Sequence, residues 1–373
     1  MSSYTKGNEG RDWEGMVRSF PSYGNCTKAL LDSGQCCEEV NDYEPEATSS
    51  SADPIPTVAL ANGVEMPLLG LGTTHSGGYY HDVVIHALRN CGYRMIDTAR
   101  RYGVERELGF AWKESGIPRP FLFLCSKLWP TDFGSDTKRA FELSCEKLQT
   151  NYLDLYMTHF PVVPDYLGNA RSVREETWRQ LELLYDEGRL RAIGVSNYSE
   201  DDLAELMEYC SVVPHVNQCE FHPWYNPVDL RSFCEDNGIL YTGYCPIAKG
   251  KFLDADVLQT LSSKYGKTPA QICLRWSLEH GVPVIPKSKE KYRIAENRDV
   301  FDFSLNDDDM KQLEILQRCP MKLVRFDDLP DKFDLPDGYK LNGRVFGVPR
   351  SCFSSENNPT LFTNGFPARQ NVC

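Results

Sequence analysis

Asp97, Tyr102, Lys127 and His159 are the side chains in this sequence best suited to move a proton. A tyrosine hydroxyl ordinarily titrates near about 10, so it is a weak acid at neutral pH. A neighbouring ammonium favours the phenolate and lowers that value. Lys127 would supply the ammonium, and Asp97 would keep it charged and in place. His159 can hold a carbonyl oxygen between its own N–H and the phenol. Such a set suits one task, delivering a proton to a carbonyl oxygen as a hydride reaches the carbon. Each residue alone has a plainer reading. Asp97 or Thr98 could cap the next helix. His159 could be a satisfied core histidine, Lys127 could extend its ammonium to solvent, and Gln218 could cap a strand.

The surrounding elements weigh against the plain readings. Met95 and Ile96 lead into Asp97 as a strand after a turn at Cys91-Gly92. From Leu69 onward, short apolar strands alternate with amphipathic helices. The strands end at Asp97, Lys127, His159, Ser196-Asn197, Gln218, Tyr244 and Lys287-Ser288. The helices between them span 80–90, 105–114, 136–148, 173–186, 200–209, 227–237, 255–265, 269–279 and 289–297. Continuous apolar strands separated by helices read as a parallel sheet. Eight such units predict a closed (β/α)8 TIM barrel, an α/β fold whose active sites lie at the C-terminal strand ends. That is the end on which the polar residues fall. Before the barrel, 57–60 and 64–69 flank Asn62-Gly63, a hairpin signal in which both turn residues tolerate positive φ. The hairpin is expected to plug the bottom of the barrel.

Residues 1–54 read as a disordered leader, rich in serine, glycine and acids with little periodicity. Residues 55–318 form the barrel, and 319–373 an irregular C-terminal segment opening with turn-rich stretches. The formal charge is −13, of which the leader's four basic and ten acidic residues supply −6. The remaining −7 argues against nucleic acid as a partner. No apolar run approaches the roughly 18 residues a membrane helix needs, and the first residues lack the apolar core of a signal peptide. The fourteen cysteines are scattered, with Cys125, Cys145, Cys219, Cys245 and Cys273 inside apolar segments, which points to a reduced cytoplasmic protein. A monomer is expected. Against the acidic background, Lys287, Ser288, Lys289 and Arg293 gather at a strand end and helix start. That placement suits a phosphate group.

Five motifs carry a resemblance. Met95-Ile96-Asp97-Thr98-Ala99 with Tyr102-Gly103, Ser126-Lys127-Leu128-Trp129, His159-Phe160-Pro161, Ile193-Gly194-Val195-Ser196-Asn197, and Ile285-Pro286-Lys287-Ser288 with Arg293 to Asn297 resemble the aldo-keto reductases. The match runs in register from about Thr57 to Leu316. The resemblance implies Asp97, Tyr102, Lys127 and His159 as a catalytic tetrad acting on a small-molecule carbonyl substrate. It implies NADPH extended across the rim, with Ser196, Asn197 and Gln218 at the nicotinamide carboxamide and Tyr244 stacked on the ring. Lys287, Ser288 and Arg293 would grip the 2′-phosphate, with Glu296 and Asn297 at the adenine.

The sequence departs from the family's pattern at Val104, Thr74 and Phe160, where asparagine, an aromatic residue and tryptophan are usual. The first two suggest a wider or reshaped substrate mouth. Two other functions remain open on the same fold: a cofactor-binding regulatory or partner-binding protein, and an aldolase using Lys127 as a Schiff-base nucleophile. A metal hydrolase is disfavoured, because His159 and His222 lack spaced ligand partners.

Overall fold

The computed structural model describes residues 18–19, 53–74, 78–318, 320–324 and 341–342. The chain opens with three strands, β1 (Arg18–Ser19), β2 (Pro56–Ala59) and β3 (Glu65–Pro67), in an antiparallel sheet. The barrel strands follow: β4 (Leu71–Gly72), β5 (Met95–Asp97), β6 (Phe123–Leu128), β7 (Leu155–Thr158), β9 (Ile193–Ser196), β10 (Val216–Glu220) and β11 (Leu240–Tyr244). They pair in parallel in the order β11-β10-β9-β7-β6-β5-β4. Helices α1 (His81–Arg89), α2 (Glu105–Ser115), α3 (Thr137–Leu148), α4 (Ala170–Asp186), α5 (Glu200–Met207) and α6 (Val228–Asp236) alternate with them. Beyond β11 come α7 (Asp256–Tyr265), α8 (Pro269–Glu279), α9 (Lys291–Arg298) and α10 (Asp307–Leu313). Among the described residues no helix is long and apolar enough to cross a membrane.

At the eighth strand position, expected over 282–286, Val284 bridges Leu69 on one side and Gly243 on the other. Val284 N–H donates to Leu68 O at 2.9 Å and Gly70 N–H to Val284 O at 2.9 Å. Pro283 and Pro286 have no N–H to donate and join only as acceptors, Pro283 O from Gly243 N–H at 2.8 Å and Pro286 O from Gly72 N–H at 3.0 Å. These few bonds nevertheless close the barrel. Closure also demands glycine at Gly72, where an added Cβ would lie 2.3 Å from Ile285 O.

Two apolar cores result. One lies between strands and helices and includes Val83, Val84, Ala87 and Leu88 of α1, with Phe141, Cys145 and Leu148 of α3. The other fills the barrel: Met95, Phe123, Cys125, Leu155, Met157, Val216 and Ile285, joined by Leu60 and Met66 of the hairpin. The hairpin therefore does seal the bottom. Its turn differs from the expected two-residue form. Leu60 N–H donates to Val64 O at 2.9 Å, and only Gly63 takes positive φ, +81°. This is a three-residue loop ending in a left-handed glycine. The Asn62 carboxamide accepts Val64 N–H at 3.2 Å and donates to Arg191 O at 2.9 Å.

Most of the expected leader, 1–54, and of the expected irregular segment, 319–373, lies outside the described residues. Within the leader, Arg18–Ser19 pairs with Pro56 and Thr57. Within the C-terminal segment, β12 (Leu341–Asn342) pairs antiparallel with β8 (Val163–Pro164), a short strand just beyond His159.

Candidate active site

The rim of the barrel is built on one buried ion pair. β5 ends in Asp97 and the adjacent β6 carries Lys127, each 1% exposed. Lys127 Nζ donates to Asp97 Oδ1 at 2.6 Å and to Thr98 O at 3.0 Å. Gln218 Nε2, from β10 across the barrel, donates to Asp97 Oδ2 at 3.0 Å. Both carboxylate oxygens are thus occupied. Burial works against the Lys127 charge, but Asp97, with help from Tyr102, outweighs it and lifts the lysine above its ordinary value. A lysine held charged is a poor Schiff-base nucleophile. The geometry therefore speaks against the aldolase reading.

Tyr102 sits at the end of a single 3-10 turn, Arg100–Tyr102, that follows β5. Its ring centre lies 5.6 Å from Lys127 Nζ, and its hydroxyl lies 3.5 Å from His159 Nε2. His159 follows β7 and is fixed by its backbone N–H to Leu128 O at 3.0 Å. The phenol is not made more acidic overall, contrary to expectation. Burial pushes it up, Lys127 pulls it down, and Asp97 and Cys245 push it up again. Desolvation of the phenolate outweighs the ammonium because the ammonium is already paired with Asp97.

The neighbouring strand ends form a second linked group. Ser196 Oγ donates to Gln218 O at 2.7 Å, and Asn197 Nδ2 donates to Ser196 Oγ at 3.0 Å and to His159 O at 2.9 Å. Asn197 adopts φ of +63°, a left-handed conformation that asparagine tolerates. Tyr244, at the end of β11, donates its hydroxyl to Asn197 Oδ1 at 2.7 Å. The structure therefore joins Asp97, Tyr102, Lys127, His159, Ser196, Asn197, Gln218 and Tyr244 in one continuous cluster.

Lys287 and Ser288 stand at the eighth strand position, lining a cleft with Gly72, Thr73, Thr74 and Tyr79. Burial pushes the Lys287 ammonium below the ordinary lysine range, so an anion brought there would be favoured. Ser288 Oγ accepts Glu290 N–H at 3.0 Å at the start of α9. Arg293 is exposed on that helix, its Nε donating to Tyr292 Oη at 2.9 Å. Glu296 accepts Thr268 Oγ1 at 2.7 Å, and Asn297 is buried. These last three residues do not touch the central cluster.

Three sets of contacts could not be foreseen from the sequence. Arg101 lies against Trp129, with its guanidinium carbon 5.7 Å from the ring centre. Trp129 in turn meets the His159 ring edge-on at 5.2 Å, and Phe160 stacks on His159 at 5.1 Å. Glu220 is fully buried, accepting His222 Nε2 at 3.0 Å and Val324 N–H at 2.8 Å. It ties the C-terminal segment to the rim two residues beyond Gln218. Among the described residues no cluster of histidine, cysteine and carboxylate groups could hold a metal ion.

Comparison with known proteins agrees with this architecture. The family model "Aldo/keto reductase family" matches residues 68–318. An uncharacterized oxidoreductase of Caenorhabditis elegans is 56% identical over 295 residues, covering 79% of this chain and 92% of the relative. Glyoxal reductase of Bacillus subtilis is 44% identical over 265 residues, covering 70% of this chain and 93% of the relative. The crystal structure of a Bombyx mori aldo-keto reductase in complex with NADP superposes with a TM-score of 0.69 at 29% identity, covering 75% of this chain and 98% of that one. On these matches the chain belongs to the aldo/keto reductase family.

Proposed function

We propose that this protein is an NADPH-dependent reductase of aldehydes or ketones in which Tyr102 is the general acid. The observation that carries the reading is the contact of the Tyr102 hydroxyl with His159 Nε2 at 3.5 Å, above the buried Lys127–Asp97 pair. A carbonyl oxygen placed between the phenol and the imidazole receives two hydrogen bonds. As negative charge grows on that oxygen, the Tyr102 proton moves to it. The Lys127 ammonium then stabilises the phenolate left behind, and Asp97 and Gln218 keep the ammonium from turning away. Bound NADPH would supply the hydride to the carbonyl carbon.

The residues present fit such a cofactor on their own chemistry. Ser196, Asn197 and Gln218 offer amide and hydroxyl groups at adjacent strand ends, suited to a carboxamide. Tyr244, part-exposed beside them, offers a flat face for a ring. The Lys287 ammonium, disfavoured by its own burial, together with Ser288 and Arg293, suits a 2′-phosphate and hence NADPH over NADH. Glu296 and Asn297, on α9, would lie toward the adenine. The named activity of the Bacillus relative makes small dicarbonyls the first substrates to try.

The test pairs binding with turnover. In the proposed mechanism Tyr102→Phe lowers kcat at least about a hundredfold, the lower range for loss of a general acid. NADPH binding, followed by fluorescence titration alongside NADH, stays intact. Retained turnover refutes the role of Tyr102. Tight NADPH binding with no oxidation across an aldehyde and ketone panel would favour instead the cofactor-binding partner protein.

A further inference from the structure

We propose that Glu105, through its hydrogen bond with Ser126, is a positioning residue that holds the Tyr102 turn against β6. The inference rests on the reductase reading above and deepens it. Tyr102 comes from a single 3-10 turn, Arg100–Tyr102, closed by Gly103 at φ +70°. So short a turn makes few bonds of its own, Tyr102 N–H to Ala99 O at 3.0 Å and Gly103 N–H to Arg100 O at 3.2 Å, and 3-10 bonds are poorly aligned. The place of the phenol is therefore set by what holds the two ends of the stretch. At the leading end, Lys127 of β6 donates to Asp97 Oδ1 at 2.6 Å and to Thr98 O at 3.0 Å. At the trailing end, Ser126, the preceding residue of the same strand, donates its hydroxyl to Glu105 Oε1 at 2.7 Å.

Adjacent residues of a strand face opposite sides of the sheet. Cys125 of β6 lies in the core inside the barrel, and Leu124 and Leu128 lie in the one between strands and helices. Lys127 thus holds from within and Ser126 from the helix side, so both ends are tied in register to one strand. Glu105 opens α2, where a carboxylate is favoured by the unpaired N–H groups of a helix start. Glu107, in the same turn, meets that preference while exposed. Glu105 is 1% exposed, a burial that costs free energy and that helix polarity does not require. Its Oε2 accepts no hydrogen bond among the described residues, and Lys147 Nζ stands 3.9 Å from it. The rest of α2 is anchored elsewhere. Trp112 Nε1 donates to Leu148 O at 2.7 Å, and Gly109 lies so close to α3 that an added Cβ would stand 2.3 Å from Lys147 O. Loss of the Glu105 bond should therefore loosen the first turn of α2 and the phenol ahead of it, and leave the helix in place.

Glu105→Ala, Glu105→Gln and Ser126→Ala test this, with glyoxal as substrate or, where wild type leaves it unreduced, the carbonyl of the panel that wild type reduces fastest. Each kcat is expressed per mole of bound NADPH, so any loss of folded protein cancels. Glu105→Ala and Ser126→Ala are expected to lower kcat about tenfold or more, since a misplacement of about 1 Å can cost roughly a hundredfold. The Kd for NADPH stays near the wild-type value, because neither residue belongs to the proposed cofactor site. Glu105→Gln keeps an oxygen that can accept the Ser126 hydroxyl and should retain most of kcat. A merely structural role would reduce the amount of NADPH-binding protein and leave kcat per bound NADPH as in wild type. That result in either alanine variant, a Glu105→Gln as slow as Glu105→Ala, or a loss of NADPH affinity matching the loss of kcat overturns the proposal, while wild-type turnover upholds the reductase reading. NADPH bound by wild type with no aldehyde or ketone reduced overturns both.

Discussion

Asp97→Asn is expected to destabilise the barrel by about 3–5 kcal/mol, the range for breaking one side of a buried ion pair. The structure explains why so small a change costs so much. Asp97 accepts Lys127 on Oδ1 and Gln218 on Oδ2, at 2.6 and 3.0 Å. Asparagine has a single oxygen, so its NH2 group must face one of those two donors. If it faces Lys127, a cation that is 1% exposed keeps only Thr98 O as a partner. The loss is bounded by the lysine's escape, because without Asp97 burial alone pushes Lys127 toward the neutral amine. For a domain of this size the expected fall in Tm is roughly 6–20 °C, at about 2–4 °C per kcal/mol.

The double variant Asp97→Leu with Lys127→Met separates a lost pair from a lost fold. Removing both charges leaves no uncompensated ion, and such replacements range from neutral to stabilising by about 1–4 kcal/mol. Urea unfolding at neutral pH, followed by far-ultraviolet circular dichroism, measures wild type, Asp97→Asn, the double variant and its two singles, Asp97→Leu and Lys127→Met. Stability is the readout because every one of these variants should lose turnover. If Asp97→Asn matches wild type within about 0.5 kcal/mol, the pair is not the buried interaction described. A double variant as unstable as the sum of its singles would refute the reasoning equally.

His280 supplies a pH-dependent term. Its Nδ1 donates to Trp276 O at 2.8 Å and its ring lies 4.3 Å from that of Trp276; burial, then Arg231, holds its pKa down at about 4. Between about pH 6.5 and 4 the unfolded chain binds a proton that the folded chain does not, so stability falls as pH falls through that window, by roughly 3 kcal/mol in all. His280→Gln should flatten the slope of unfolding free energy against pH there, and an unchanged slope would exclude the assignment. Gly72→Ala places a Cβ 2.3 Å from Ile285 O, a backbone atom that cannot swing aside. It should cost about 1–3 kcal/mol as overpacking at the barrel seam, read from the urea midpoint.

The strand ends were legible because apolar runs terminate abruptly in Asp97, Lys127, His159 and Gln218, and a parallel barrel gathers such ends on one face. The helices were legible from spacing, as with Val83, Val84, Ala87 and Leu88 on the buried side of α1. The eighth strand was expected over 282–286, but its reduction to isolated bridges at Val284 could be seen only with the partner strands in place. What could not be read were links between distant residues. The bond from Gln218 to Asp97 spans 121 positions, and nothing in either local sequence signals it. The buried Glu220 is likewise matched by Leu323 and Val324 backbone N–H groups, and backbone donors leave no mark in residue identity. Arg101 was overlooked for a different reason: surface arginines are common, and its approach to Trp129 depends on how the turn after β5 meets the loop after β6.

The direction of the Tyr102 shift bears on the form in which the proposed acid rests. Sequence reasoning had Lys127 lowering the phenol. In the folded chain burial leads, Lys127 opposes it, and Asp97 partly cancels Lys127, leaving the phenol above its ordinary value. For reduction this is no handicap. An alkoxide forming on the substrate is a far stronger base than any phenolate, so proton transfer from Tyr102 remains downhill, and a raised value keeps the acid protonated throughout the neutral range. The reverse reaction needs the phenolate as base, and burial makes that species scarce. The Lys127 charge is then best understood as acting on the phenolate once it is formed, lowering the cost of the step rather than ionising the resting tyrosine. A raised phenol thus keeps the proposed acid protonated near neutral pH, while the balance of reduction and oxidation stays set by the overall equilibrium, because both directions cross one transition state.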